Sequence, residues 1–414
     1  MGTHHEYFDE LETRDADERR RAQLAELPAR IAHAQQNSPA FSRILKGIDS
    51  AQISTPTALA QLPVTRKSEL AELQRRYPPF GGLATVQPGE AAKIFSSPGP
   101  IYEPETHRRD YWRLGRALFA AGFRRGELLH NTFAYHLTPA GSMVETAAHA
   151  IGCAVFPGGV GQTELQVQAI ADLRPDGYVG TPSFLRILLQ KAEEMKADTS
   201  SLRKAAVSGE AFPPSMREEF QRHGIEALQC YVTADLGLIA YESAAKQGMI
   251  IDEGVIVEIV RPGTGDPVPE GEVGEVVVTT FNPDYPLIRF ATGDLSAVLP
   301  GPSPCGRTNM RIKGWLGRAD QTTKVRGMFV TPLQIAEVAK RHPQIQRLRL
   351  VVDRDATNDT MVLHCEVESR GAGLAEAIAK SIREICKLRG EVVLEKPGML
   401  ANDGKVIDDV RKYD

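Results

Sequence analysis

Tyr285-Pro286-Leu287-Ile288-Arg289-Phe290-Ala291-Thr292-Gly293-Asp294 is an apolar, strand-like run that ends in a glycine and an acid. Gly293 allows the chain to turn, and Asp294 follows at a loop edge. There its two carboxylate oxygens are placed to accept hydrogen bonds from vicinal hydroxyls, such as those of a ribose. By itself T-G-D is more simply a turn aspartate that satisfies its own backbone. Two further short sites follow in order, Gly317-Arg318-Ala319-Asp320 and Gly404-Lys405. The planar guanidinium of Arg318 suits ribose or phosphate oxygens, although G-R-x-D alone reads equally well as a surface loop. Lys405 follows Asn402-Asp403-Gly404, a turn that projects a cationic side chain, and a lysine in such a loop is usually just solvated.

A chain of 414 residues that is 42% hydrophobic can bury more than one core, so two or three domains are expected. The formal net charge of −4, with no long basic run, argues against nucleic acid or a membrane surface as partner and favours small-molecule substrates. Cys153, Cys230, Cys305, Cys365 and Cys386 are scattered with no C-x-x-C pair, which suggests reduced thiols rather than a disulfide framework or a zinc site. The charged first twenty residues do not read as a secretory signal, and no run of 18 apolar residues is present. The cytoplasm is the expected compartment.

Apolar residues at Leu24, Leu27, Ile31 and Ala34 predict an amphipathic helix from Asp17 to about Ile44. A helix start is expected at Thr65 to Glu69, after a proline-bearing loop. Between Glu127 and Pro182 short apolar stretches alternate with helical patterns, the βαβα rhythm of a parallel sheet with helices on its faces, and Phe184 to Lys196 and Ala205 to Val207 continue it. From Gly254 to Thr280 two alternating strands flank the turn-rich Pro262 to Pro267, an antiparallel hairpin or small barrel. After Asp320 a compact α+β unit is expected, with helices at Pro332 to Arg341 and Leu374 to Leu388. Its strands fall at Leu348 to Val352, Met361 to Val367 and Glu391 to Leu394.

Three further stretches carry chemistry-bearing residues. Ser208-Gly209-Glu210 follows a strand, and a short glycine turn lets backbone approach a flat base closely. Asp235, in Cys230-Tyr231-Val232-Thr233-Ala234-Asp235-Leu236-Gly237, reads either as a metal ligand or as a helix-start aspartate. Phe133, Tyr135 and His136 follow a strand and suit a pocket for a flat acid, although ordinary helix-to-sheet packing explains most such aromatics.

Together these segments resemble the adenylate-forming, AMP-binding enzymes, and within them the phenylacetate-coenzyme A ligase-like branch. R-F-A-T-G-D is similar to that family's R-Y-R-T-G-D, and Leu62-Pro63-Val64-Thr65-Arg66-Lys67 to its L-P-x-T-x-K. The stretch from Trp315 through Ile335 resembles its hinge and the start of its C-terminal domain. The resemblance implies a fold of the α/β class: a large multi-layer α/β N-terminal domain with a β-barrel-like subdomain over residues 1–316, a hinge at 317–320 centred on Asp320, and a small mobile α+β C-terminal domain over 321–414. It implies ATP-dependent activation of an aryl or arylalkyl acid to acyl-AMP, then transfer to coenzyme A, by a homodimer. Asp294 and Arg318 would hold ribose, Ser208, Gly209 and Glu210 would face adenine, and Tyr231 would stack on it beside Val232, Thr233 and Ala234. Asp235 would hold Mg2+, and Lys405 would bridge carboxylate and α-phosphate as charge builds in adenylation.

The chain departs from the family pattern at three places. Val232 replaces a glycine and Asp235 a glutamate. Ser96-Ser97-Pro98-Gly99-Pro100 stands where the family has the phosphate-cradling S-S-G-T-T-G-K-P, so only Ser96, Ser97 and Gly99 remain and the lysine is gone. The cysteine and histidine cluster that many relatives carry is missing from Tyr241 to Ile250, so no structural zinc is expected. Either the altered loop still binds ATP, or the chain is a divergent relative that does not adenylate and acts as an acyltransferase or as a nucleotide- or thioester-binding protein.

Overall fold

The computed structural model describes residues 7–319, 323–326, 328–355, 358–401, 403 and 405–411. The expected hinge residue Asp320 and Gly404 of the Gly-Lys pair lie outside the described residues. The chain divides into two compact units that interleave in sequence. The first comprises the described residues of Met1–Val257, Val278–Phe290 and Leu299–Gly314. The second comprises those of Glu258–Val277, Ala291–Val298 and Trp315–Asp414. Three strands, Val255–Val260, Gly274–Thr280 and Phe290–Ser296, run from one unit into the other, so the division follows packing rather than chain order.

The first unit is built on a mixed sheet in the order Ala154–Pro157, Leu128–Asn131, Gly177–Gly180, Lys204–Val207, Glu226–Thr233, Gly237–Tyr241, Met249–Ile251 and Arg311–Ile312. The strands from 154–157 to 226–233 pair in parallel, as the βαβα rhythm predicts, and the pairing turns antiparallel at 237–241. Side chains alternate between two cores with the period of two that a pleated strand imposes. Val179, Ala206 and Leu228 face the core under helices Gly115–Ala120 and Ala140–Ile151. Tyr178, Ala205, Val207 and Ala227 face the core formed with helices Thr163–Leu173, Pro182–Met195 and Pro214–Arg222. Burial on both faces explains why these strands read as continuous apolar runs.

The long helix expected from Asp17 is two helices, Ala16–Asn37 and Pro39–Ile44. Ser38 separates them: its hydroxyl accepts from the Phe41 amide as an N-cap, and Pro39 has no N–H to continue the ladder. Among the described residues no helix is long and apolar enough to cross a membrane.

In the second unit Val260 pairs with Pro267 across the turn of residues 261–266. Strands Glu391–Glu395, Asn358–Val367, Ile345–Asp355 and Ile407–Asp409 form a sheet in that order, with helices Pro332–Arg341 and Leu374–Cys386 closing a core of Ile335, Val338, Leu350, Leu363, Ile378 and Ile382. Leu350 pairs with Ile407, which fixes the chain two residues after Lys405 to the sheet.

Candidate functional site

The parallel order reverses at Leu128–Asn131, since the next strand in sequence, Ala154–Pro157, pairs on one side and Gly177–Gly180 on the other. In open α/β sheets the crevice beyond the carboxyl ends at such a switch point is where ligands sit. A cavity of about 160 Å³ lies here. Its walls come from Leu114, Ala117 and Leu118 of one helix, Met143 and Val144 of another, and the strand positions Val179, Ala206, Cys230 and Val232. Among the described residues no charged side chain lines it. Its polar rim is Ser97, Thr138, Ser208 and Thr233. Burial pushes the Cys230 thiol up to about 12, so this wall stays neutral.

Asn131, fully buried at the end of its strand, organises the loop that closes the cavity. Its amide donates to the Tyr135 hydroxyl at 2.8 Å and to the Gly141 carbonyl at 3.0 Å, while its carbonyl accepts from the Phe133 amide at 3.1 Å. Phe133 lines the cavity. Tyr135 instead braces the loop, and His136 is exposed outside the cavity, so of these three pocket candidates only Phe133 is brought to it.

Residues 93–105 form a tight hairpin in which Lys93–Ser97 pairs with Ile101–Glu105, Ser97 opposite Ile101. Pro98, Gly99 and Pro100 are the whole turn, and Gly99 supplies its one backbone N–H. A nest of consecutive amides facing a phosphate cannot be built from such a turn. Ser96 and Ser97 stay at its base, and the Ser97 hydroxyl donates to Glu103 Oε1 at 2.5 Å. Glu105 ties the hairpin to the sheet and helix beneath by accepting from Trp112 Nε1 at 2.6 Å, from Lys93 at 3.1 Å and from Ser142 at 2.9 Å.

Ser208, Gly209, Thr233 and Ala234 meet at the cavity rim, and the Ser208 hydroxyl donates to the Cys230 carbonyl at 2.7 Å. Glu210 turns away, accepting from the Ser183 amide at 2.5 Å at the start of helix Pro182–Met195. Tyr231 is 9% exposed and pairs with Ala240 across the antiparallel step.

Asp235, expected from the resemblance to hold Mg2+, is engaged by a lysine in this structure. Its side chain is fully buried, and Oδ2 lies 2.5 Å from the ammonium of Lys67. Next to it, burial and the negative charge of Asp235 push the Glu103 carboxyl up to about 8, so at neutral pH it holds its proton. One carboxylate already neutralised by an ammonium and one carboxylic acid are not a donor set for a divalent cation, which wants ionised oxygens and room for its waters. No group of three or more acidic, histidine or cysteine side chains suited to a metal occurs among the described residues. Composition gave no signal for Glu103, and the L-P-x-T-x-K phrase was the one that pointed to Lys67.

Arg289 of the opening motif delivers Lys67 to this place. It is fully buried, and its Nη1 donates at 2.7 Å to the carbonyls of both Ala60 and Leu62. Its own carbonyl accepts from Thr65 at 3.1 Å. The arginine of R-F-A-T-G-D is therefore a clamp on the segment that carries Lys67, two residues beyond Thr65.

Asp294 and Arg318, in the second unit, are brought together. Asp294 Oδ1 lies 3.0 Å from Arg318 Nη1 and accepts from Trp315 Nε1 at 3.1 Å. Backbone bonds hold the two segments side by side, from Ala319 to the Gly293 carbonyl at 2.7 Å and from Leu295 to the Gly317 carbonyl at 2.8 Å. Gly293 has φ +77°, a backbone conformation that favours glycine, and a Cβ there would lie 2.7 Å from the terminal Nη2 of Arg318, which would have to shift. Lys405 is exposed, with its Nζ 2.8 Å from Asp408 Oδ1.

A sequence model of the AMP-binding enzymes matches residues 129–282, the stretch that builds the parallel strands and most of the cavity. The phenylacetate-coenzyme A ligase of Aromatoleum evansii is 30% identical over 400 residues, covering 91% of this chain and 89% of that protein. The phenylacetate-coenzyme A ligase of Thermus thermophilus is 30% identical over 430 residues, covering 95% and 96%. Among solved structures, a 2-hydroxyisobutyryl-CoA ligase in its postadenylation state is similar with a TM-score of 0.74 at 23% identity, over 99% of this chain and 93% of that one, a likeness of fold.

Proposed function

The chain belongs to the phenylacetate-coenzyme A ligase family of AMP-binding enzymes, and on that premise we propose that it activates an apolar-bodied carboxylic acid with ATP and transfers the acyl group to coenzyme A. It is an AMP-forming acid–thiol ligase. The carboxylate displaces pyrophosphate from the α-phosphate to give acyl-AMP, and the thiol of coenzyme A then displaces AMP to give the thioester. Neither step requires a nucleophile from the protein.

One observation carries this reading: an apolar cavity with no charged wall lies beyond the carboxyl ends of the parallel strands at the switch point, with hydroxyls confined to its rim. Such a site buries the body of an aryl or arylalkyl acid and leaves its carboxylate at Ser97, Ser208 and Thr233. Ser208, Gly209, Ala234 and Tyr231 are the proposed adenine-side residues. Asp294 is proposed to receive the ribose, a reading supported by its bonds to Arg318 and Trp315, which hold the carboxylate in place. Lys405 is proposed to act in adenylation, the C-terminal domain turning at Asp320 between the two steps. Magnesium would enter as counter-ion of the triphosphate, and Asp235 is not proposed as its ligand. A cytoplasmic homodimer completes the proposal, supported by the scattered free cysteines and by the resemblance.

The Pro98-Gly99-Pro100 turn favours one rival, a relative that binds nucleotide or thioester without adenylating. Pyrophosphate exchange with a panel of aryl and arylalkyl acids separates the two. Exchange with at least one acid supports the ligase; no exchange with any acid, alongside measurable AMP or coenzyme A binding, refutes it.

A further inference from the structure

Strand Ile345–Asp355 sends alternate side chains to opposite faces, as a pleated strand must. Leu348, Leu350 and Val352 pack on the core of the C-terminal sheet, and Arg347 and Arg349 fall on the other face. There they hold the segment that carries Lys405. Arg347 Nη1 donates to the Leu400 carbonyl at 3.4 Å, and Glu366, opposite Arg347 in the sheet, accepts from the Leu400 amide at 2.6 Å. Arg349 Nη2 donates to the Ala401 carbonyl at 3.1 Å and to Asp403 Oδ1, the same oxygen that accepts from the Lys405 amide at 3.1 Å. Its Nη1 lies 3.6 Å from Asp408 Oδ2, while Asp408 Oδ1 takes the Lys405 ammonium at 2.8 Å. Arg349 and Lys405 thus balance Asp403 and Asp408, and the Arg349 side chain is 12% exposed against 47% for Lys405.

We propose that Arg349 is a positioning residue for Lys405 in the adenylation step, fixing the backbone that presents the ammonium and sharing the acids that would otherwise hold it. The inference rests on the acid–thiol ligase reading, since that reaction places Lys405 at the α-phosphate. A planar guanidinium fork reaches a carbonyl and two carboxylates at once, which a single ammonium or amide in its place does not. Without it Asp403 and Asp408 stand uncompensated beside one ammonium, and their attraction competes with that of the phosphate. The turn also loses the bond that joins Asp403, and through it the Lys405 amide, to the sheet. Both effects fall on the step in which negative charge builds at the α-phosphate, and not on attack of the thiol on acyl-AMP.

The test compares the full unmodified chain with Arg349→Met, which keeps the stem and removes the fork, and with Asp403→Ala, which breaks the same bond from its 40% exposed end and leaves the sheet untouched. Pyrophosphate exchange is expected to fall roughly tenfold or more in both variants, with thioester formation from preformed acyl-AMP little changed. Deuterium uptake by a peptide spanning residues 400–406 is expected to quicken in both, with uptake by helix Leu374–Cys386 unchanged. Equal loss of the two half-reactions overturns the proposal, since a merely structural role would damage both. Unaltered pyrophosphate exchange overturns it too, as does uptake at 400–406 that matches the unmodified chain in both variants. Absence of pyrophosphate exchange by the unmodified protein with every acid sinks the ligase reading instead, and the deuterium uptake still decides whether Arg349 holds the turn before Lys405.

Discussion

The ammonium of Lys67 lies 2.5 Å from Oδ2 of Asp235, joining residues 168 positions apart at the foot of the altered hairpin. The carboxylate is fully buried and the lysine is about a quarter exposed. A negative charge in that position is tolerable because a positive one faces it, and removing one member of a buried pair is far more costly than exchanging both for apolar groups.

Lys67→Met is therefore expected to lower the free energy of unfolding by roughly 3 kcal/mol, and adding Asp235→Asn to recover most of the loss. Urea unfolding of the two variants checks this. A single variant as stable as the unmodified protein would show that the pair contributes nothing.

Glu103 predicts a pH dependence of stability. Its carboxyl has an ordinary value of 4.5 and is raised to about 8 by burial and by the charge of Asp235, against the opposing effects of Ser97 and Lys67; Tyr285 is buried beside the same pair. Between those values the folded chain holds a proton that the unfolded chain releases, so the contribution falls as pH rises from 4.5 toward 8. The urea midpoint should drop between pH 6 and pH 8.5, beyond any loss seen in Glu103→Gln. Identical pH profiles for the two proteins would rule out Glu103 as the source.

Filling the cavity should change which acid is used. Ala117 contributes a small side chain to the wall, and Ala117→Leu adds bulk that the 160 Å³ space lacks. The KM for an arylalkyl acid should rise about tenfold or more, the equivalent of ~1.4 kcal/mol, while acetate-sized acids change little. A uniform change for all acids would place the acyl body elsewhere.

Gly293→Ala puts a methyl 2.7 Å from Arg318 Nη2 and forces an L-residue to φ +77°. The backbone strain alone costs on the order of 1–3 kcal/mol, and the Arg318 guanidinium must shift beside Asp294. The KM for ATP in pyrophosphate exchange should rise several-fold with little change in the KM for the acid. The opposite pattern would remove Asp294 from the nucleotide site.

Lys405→Ala should abolish pyrophosphate exchange and spare thioester formation from preformed acyl-AMP, because the lysine's charge is needed where negative charge accumulates in the first step. Equal loss of both half-reactions would refute the assignment.

The fold was legible in the sequence wherever local pattern and global packing agree. Runs such as Tyr178-Val179 and Ala205-Ala206-Val207 must be strands buried on both faces, and helix Pro332–Arg341 begins and ends where Thr331, Pro332 and Arg341 place it. The exception in the first helix came from one residue, Ser38, whose capping bond competes with continuation of the helix. The site was less legible. Glu210 stands beside Gly209, and His136 lies within three residues of Phe133 and Thr138, which do reach the cavity, yet both point elsewhere, since nearby positions at a strand end or in a loop face different ways.

By itself the sequence determined the order of its motifs, hence the family, the layered α/β class and the loss of a phosphate-cradling loop, because turn residues, prolines and apolar period act locally. Only the tertiary structure decided that Arg289 is a clamp, that Lys67 faces Asp235, and that burial pushes the Glu103 carboxyl up. These are properties of distance and burial between residues far apart in the chain, and they exist only once packing has excluded water from between them.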